Sequence, residues 1–190
     1  MQGNLEEHIA STLRAMDNLS MQGRTIMVRD MEDLQKTDGL IITGGESTTM
    51  WRLLRKTGLW NSLKSYDKPV FGTCAGLILL AKSGSDVDSK KTRQEFLGRL
   101  DVVVIRNAFG RQRESFSADL DISGIGRFHA VFIRAPAIES VGRSVEVLAR
   151  YNNKIVAVKQ DKILAAAFHP ELTDDPRVHE LFLGMIQPDL

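Results

Sequence analysis

The sequence predicts an α/β fold: a three-layer sandwich around a mostly parallel sheet, forming one domain over residues 1–190. Three observations predict it. In the first half, short apolar runs alternate with stretches of helical periodicity, the pattern of a parallel sheet covered on both faces. Glycine-bracketed turns, Gly44-Gly45 and Gly72-Thr73-Cys74-Ala75-Gly76, fall where an apolar run gives way to a helical one. The chain has 190 residues, 43% hydrophobic and 26% charged, which suits one soluble domain with a real core.

The elements follow in order. Leu5, Ile9, Leu13 and Met16 recur at helical spacing, so residues 4–18 read as an amphipathic helix with those side chains inward. Residues 24–28 read as a strand, and a polar connection follows around residues 31–34. Residues 39–43 form a buried strand feeding the Gly44-Gly45 turn. Residues 47–56 suit a helix with Met50, Leu53 and Leu54 on its inner face. Residues 69–71 lead as a strand into Cys74, and residues 77–81 are the helix behind it. In the second half, strands are predicted at 100–105, 116–122, 128–133, 145–150, 154–159 and 163–168. Gln160-Asp161-Lys162 forms a hairpin between the last two. A closing helix starts at Asp175 as N-cap and Pro176 at the first helical position, burying Val178, Leu181, Phe182, Met185 and Ile186. The polar stretch 83–95, with Asp86, Asp88, Lys90, Lys91 and Arg93, reads as a solvated loop.

Composition narrows the function. A net charge of +1 gives no reason to expect a nucleic acid or an anionic membrane as partner. No apolar run approaches the ~20 residues of a membrane span, and the N-terminus carries no basic-then-apolar leader. One cysteine cannot close an intrachain disulfide, which points to a reducing cytoplasm.

That cysteine is the chemical focus. A lone cysteine is usually a small buried hydrophobe. Here it sits at a strand-to-helix turn between small residues, an arrangement that presents a nucleophile and lets a carbonyl approach. The positive end of the helix dipole favours the reactive form of the thiol. A thiol needs a base and an orienter for that base. Of four histidines, His8 and His179 fall within amphipathic helices and His129 within a strand, where solvated or satisfied rings are expected. His169 stands apart in Phe168-His169-Pro170-Glu171. Pro170 ends the preceding strand and presents the imidazole at its edge, and Glu171 can turn back to hold one ring nitrogen. Gly44-Gly45-Glu46-Ser47 leaves backbone N–H groups able to hold an oxyanion. Arg106 and Arg134, at strand ends, could clamp a carboxylate.

These segments carry a resemblance. Gly-Gly-Glu-Ser-Thr-Thr-Met (44–50), Gly-Thr-Cys-Ala-Gly-Leu (72–77), Arg-Asn-Ala-Phe-Gly-Arg-Gln (106–112), Phe-Ile-Arg-Ala-Pro (132–136) and Phe-His-Pro-Glu-Leu-Thr (168–173) come in one family's order. The chain resembles the glutaminase subunits of pyridoxal 5′-phosphate synthase, triad-type (class I) glutamine amidotransferases with a flavodoxin-like sheet. The resemblance implies Cys74 as nucleophile, His169 as proton shuttle and Glu171 as its orienter. It implies an oxyanion site near Gly45 and Ala75, and glutamine-binding positions Gly45, Glu46, Ser47, Arg106, Ile133 and Arg134. Glutamine would be hydrolysed through a Cys-glutamyl thioester. The ammonia would pass to a (β/α)8-barrel synthase subunit in a large hetero-oligomer, with no metal or organic cofactor on the glutaminase itself.

Two positions depart from the family pattern. Thr43 stands where the family has proline. Family members also open with an apolar strand before Leu-Gln-Gly-x-x-x-Glu-His, whereas this chain reads Met1-Gln2-Gly3 with Glu7-His8 in register. The resemblance therefore implies that the first strand is missing, that the core has a slot in its place, and that Met1 is internal to a longer reading frame. It also places Gln2-Gly3 where the family meets its synthase. The competing readings are a glutaminase serving a different synthase, a cysteine-elbow peptidase or chaperone-like relative, and a non-catalytic interaction subunit. The 106–112 segment argues against the first, His-Pro-Glu against the second and the intact triad against the third.

Overall fold

The computed structural model describes residues 5–86, 94–109 and 114–186. The first half runs α1 (Leu5–Asn18), α2 (Met31–Gln35), β1 (Leu40–Ile42), α3 (Ser47–Lys56), α4 (Leu59–Ser65), β2 (Val70–Thr73) and α5 (Ala75–Leu80). The second continues through β3 (Ala81–Asp86), β4 (Leu100–Arg106), β5 (Ser115–Ile122), β6 (Gly126–Ile133), β7 (Ala137–Val141), β8 (Glu146–Tyr151), β9 (Lys154–Gln160) and β10 (Ile163–Ala166). A 3-10 turn (Pro170–Leu172) and α6 (Arg177–Ile186) complete it.

The fold is α/β, as expected. One sheet has the order β1-β2-β10-β9-β7-β4-β3, with β8 alongside β9, and β5–β6 form a separate hairpin. β1, β2 and β10 run parallel, as do β3 and β4. β9 and β7 join the two groups through antiparallel pairings. The β9–β10 hairpin turns at Asp161 in left-handed backbone, φ 49°. The core gathers Phe71, Leu79, Leu80, Phe132, Leu164 and Phe168, all fully or nearly fully buried. α3 spans the residues the sequence predicts, and Asp175 caps α6 by accepting from the Arg177 N–H at 3.1 Å.

Several expectations are corrected. Residues 24–28 form no strand. Their apolar pattern suits one, but a strand exists only with a ladder partner. β1 pairs with β2 alone among the described strands. Between its other edge and residues 21–29 lies a cleft of about 800 Å³, lined by Ile9, Met16, Ile26, Leu40 and Met50 among others.

α1 is also rotated from its expected face. Its buried residues are His8, Ser11, Thr12 and Ala15, whereas Leu13 is 42% exposed. The small and polar stripe faces α6 and the 3-10 turn, while Leu5, Ile9 and Met16 line the cleft. Likewise Leu53 of α3 is exposed and Met50 buried. Ser83–Asp86 is part of β3, not a loop, because β4 offers it a parallel partner. The rest of that polar stretch, Asp88, Lys90, Lys91 and Arg93, lies outside the described residues, as do Met1, Gln2, Gly3, Gly110, Arg111 and Gln112. α2, α4 and β7 are elements that the sequence patterns do not distinguish from their connections.

Candidate active site

β2 ends at Thr73, and the chain turns at Cys74 with φ 48° and ψ −101° before α5 begins. For an L-residue such backbone costs roughly 1–3 kcal/mol and persists only when its surroundings hold it. Here they do. The Cys74 N–H donates to the Ala166 carbonyl at 2.8 Å, and the Cys74 carbonyl accepts from the Ile78 N–H at 3.3 Å. Glycine is required at 76 because a Cβ there would collide with the Ile42 carbonyl of β1. The thiol is buried and lies 3.8 Å from the Ile133 carbonyl, to which it can donate.

His169 arrives on the neighbouring strand. Parallel pairing aligns Thr73 with Ala166, so the chain leaving β10 passes beside the elbow. The His169 N–H donates to the Val131 carbonyl at 2.8 Å, anchoring the residue to β6. Pro170 then opens the 3-10 turn that carries Glu171 back beneath the ring. His169 Nδ1 lies 2.8 Å from Glu171 Oε1, and the Glu171 side chain is fully buried.

Burial disfavours a charged His169, but hydrogen bonds to Cys74 and Glu171 and their charges outweigh it and push the imidazole up to about 10. Burial likewise works against an ionised Glu171, yet the hydrogen bond from His169 and the nearby imidazoles hold it below the ordinary carboxylate range. The result is a ring that can take a thiol proton and an anion that steadies the charged ring. The structure brings Cys74, His169 and Glu171 together.

The remaining predicted positions divide. Gly44 and Gly45 follow β1, and Gly45 has φ 141°, backbone that a side chain would strain. A Cβ on Gly44 would stand 2.5 Å from His169 Cε1 and 3.5 Å from Cys74 Cβ, so this turn presses directly on both side chains. Gly44→Ala is therefore expected to push the imidazole aside and lower turnover about 100-fold, an effect typical of misplaced reacting groups. A rate within about threefold of wild type, in a variant with unchanged thermal midpoint, would contradict that contact.

Ala75 opens α5, so its N–H belongs to a first turn that has no intrahelical acceptor. Glu46 caps α3 through Thr48 and Thr49, and Arg106 Nη2 approaches it at 3.3 Å. Burial works to raise the Glu46 pKa, but the Thr49 and Thr48 hydrogen bonds together outweigh it and bring its carboxyl below the usual range. Arg106 also faces Thr48 Oγ1 and Asp86 at 3.5 Å each. The Ser47 hydroxyl donates to Gln94 Oε1 at 2.7 Å and is buried. Arg134, with φ 45°, follows Ile133 and reaches Glu114 at 3.5 Å. Glu46 and Arg106 thus come together, and Ile133 meets the thiol, whereas the Ser47 hydroxyl and Arg134 guanidinium are engaged with Gln94 and Glu114.

His8 and His179, whose rings the sequence expects to be solvated or satisfied, are satisfied by buried partners. Both are buried, 2% and 0% exposed, and His8 reaches Glu171. Their register on α1 and α6 gave no sign of this, because helix periodicity does not say which distant side chain waits opposite.

The SNO glutamine amidotransferase family matches residues 1–188. The chain is 51% identical over 188 residues to the pyridoxal 5′-phosphate synthase subunit PdxT of Archaeoglobus fulgidus, covering 97% of this chain and 94% of that one. It is 49% identical over 191 residues to the PdxT subunit of Geobacillus thermodenitrificans, covering 98% and 92%. A crystal structure of a glutamine amidotransferase superposes with a TM-score of 0.84 at 44% identity, covering 98% and 95%. A glutamine amidotransferase of Thermotoga maritima, at 13% identity and TM-score 0.55, shares the fold. With its elbow cysteine, its His-Pro-Glu turn and this extent of similarity, the chain belongs to the SNO glutamine amidotransferase family.

Proposed function

We propose that this chain is the glutaminase subunit of a pyridoxal 5′-phosphate synthase, releasing ammonia from glutamine for a separate synthase subunit. The observation that carries the reading is the buried Cys74–His169–Glu171 array in a chain of this family. Cys74 Sγ attacks the side-chain amide carbon, with its proton held on His169. The tetrahedral oxyanion is met by backbone N–H groups near Gly45 and Ala75. His169 gives its proton to the departing nitrogen, and ammonia leaves a glutamyl thioester on Cys74. Water then attacks the thioester with His169 as base, and glutamate departs. Arg106 and Glu46, an ion pair of opposite charges, suit the α-carboxylate and α-ammonium of glutamine. Ser47, Ile133 and Arg134 complete the proposed binding positions. The partner is the barrel synthase subunit, in a hetero-oligomer.

The test is glutamate release from glutamine by the chain alone and with the synthase subunit of the same organism. Turnover that rises at least about tenfold on adding the synthase is expected, within the range of conformational completion of a site. No turnover in either condition, with glutamine at millimolar concentration, would overturn the assignment.

A further inference from the structure

Glu171 has two carboxylate oxygens, and the triad uses one. Its Oε2 lies 3.2 Å from Nε2 of His8, which projects from α1. The same His8 nitrogen lies 3.2 Å from Thr73 Oγ1, in the residue before the nucleophile. On the far side, His8 Nδ1 lies 3.0 Å from Nε2 of His179 on α6. A continuous buried line therefore runs from His179 through His8 and Glu171 to His169 and Cys74.

The proton positions along this line follow from its ends. His179 is buried against Phe71, with the rings edge to face at 5.8 Å. Burial, with His8 nearby, lowers the His179 pKa to about 3, so the ring is neutral. Burial also lowers that of His8, although Glu171 partly offsets it. Two neutral imidazoles permit two arrangements. If His8 carries its proton on Nδ1, a bare Nε2 lone pair faces the Glu171 carboxylate, and His179 must carry a buried N–H on Nδ1. That atom has no hydrogen-bond partner among the described residues. Buried orphan donors are rare, and opposed lone pairs repel. In the other arrangement His179 Nε2–H donates to His8 Nδ1, and His8 Nε2–H is shared between Thr73 Oγ1 and Glu171 Oε2, each at 3.2 Å. Only a lone pair on His179 is then left unused.

We propose that His8 is a positioning residue for the triad: donating from α1, it clamps the second oxygen of Glu171, while His179 fixes the tautomer that lets it do so. This rests on the glutaminase reading above. With one oxygen held by His8 and the other by His169, the carboxylate cannot swing about its terminal bond. The imidazole of His169 stays aimed at Cys74. Helix α1 thereby becomes part of the catalytic apparatus without touching substrate.

The test compares His8→Leu with His8→Gln, assaying glutamine hydrolysis in the presence of the synthase subunit. Leucine removes the donor at similar bulk, and glutamine places an amide N–H near the Nε2 position. His8→Leu is expected to lower kcat about 10- to 100-fold with KM for glutamine within about twofold, the scale on which outer partners of a catalytic group act. His8→Gln should recover kcat to within about fivefold of wild type. In a Glu171→Gln background, His8→Leu should change kcat by less than about twofold, because the group it positions is already lost. Losses that multiply in that background, a change confined to KM, or equal impairment of the Gln and Leu variants would each overturn the proposal. Nitrogen-15 NMR of histidine-labelled wild-type protein decides the same point without turnover or a variant that must fold. A proton on His8 Nε2 and a bare His179 Nδ1 are expected, and a proton on His8 Nδ1 contradicts the clamp. If wild type is inactive with its synthase, the glutaminase reading fails, and the NMR result still judges the hydrogen bond.

Discussion

Replacing Cys74 with alanine is expected to lower glutamine hydrolysis by at least about 10⁴-fold while leaving the fold in place, since removing a nucleophile that acts as one unit with its base forfeits nearly all covalent catalysis. The elbow does not depend on the sulfur. Its left-handed turn is held by the Cys74 N–H to Ala166 and by the Ile78 N–H to the Cys74 carbonyl, and both survive in the variant. The His169 imidazole should report the change as well. Its hydrogen bond to Cys74 helps hold its pKa up at about 10, so the pKa should fall in Cys74→Ala, with Glu171 still raising it. Glutamate release at saturating glutamine and an NMR titration of His169 are the measurements. Turnover within about tenfold of wild type would remove Cys74 from the mechanism.

Acid should unfold the protein early, and His179 should account for much of the effect. Its pKa drops from 6.5 to about 3 on folding because burial penalises the charged ring and His8 stands beside it. Between those values the unfolded chain binds a proton that the folded chain refuses, so stability rises with pH across this window and is lost as pH falls through it. The gap corresponds to on the order of 5 kcal/mol, a large share of the stability of an ordinary domain. His8 acts in the same direction. Glu171, held below 4.5, adds a further loss as its carboxylate protonates at lower pH. His169 has the opposite sign: its contribution is full below 6.5 and is lost as pH rises through about 10. Stability should therefore peak near pH 6.5. Urea midpoints measured from pH 8 to pH 4 should fall steeply below 6.5 in wild type and more gently in His179→Gln, which keeps a donor but cannot titrate. Equal slopes in the two proteins would show that this ring is not the source.

The Cys74–His169–Glu171 cluster was legible because each of its parts depends on local covalent constraints. Gly76 is needed where the backbone passes the Ile42 carbonyl of β1, Gly72 where it passes Gly76, and Pro170 opens the 3-10 turn that carries Glu171. Strands that alternate in polarity, such as β5, or that run wholly apolar, such as β10, were equally readable. What could not be read depended on partners distant in sequence. Residues 24–28 have the composition of a strand but no ladder to join, and β3 is polar yet finds one in β4. On α1, the stripe His8-Ser11-Thr12-Ala15 reads as a solvent face, yet it is buried because His179, Thr73 and Glu171 satisfy its imidazole. Polar burial of that kind follows from hydrogen bonding between side chains far apart in the chain, to which periodicity is blind. The resemblance placed Glu7-His8 within a motif but gave the ring no role.

The parallel pairing of β2 with β10 has a consequence for how the molecule comes into being. Parallel neighbours cannot be joined by a tight turn, and here the connection between them holds every strand from β3 to β9. The His8–His179 contact closes a still larger loop, 171 residues apart in the chain. The entropy of closing such loops must be met before the pocket exists. An isolated elbow peptide, or a chain not yet elongated past β10, carries the thiol without its base. The Cys74–His169–Glu171 cluster thus assembles only once β10 and the turn after it have been made.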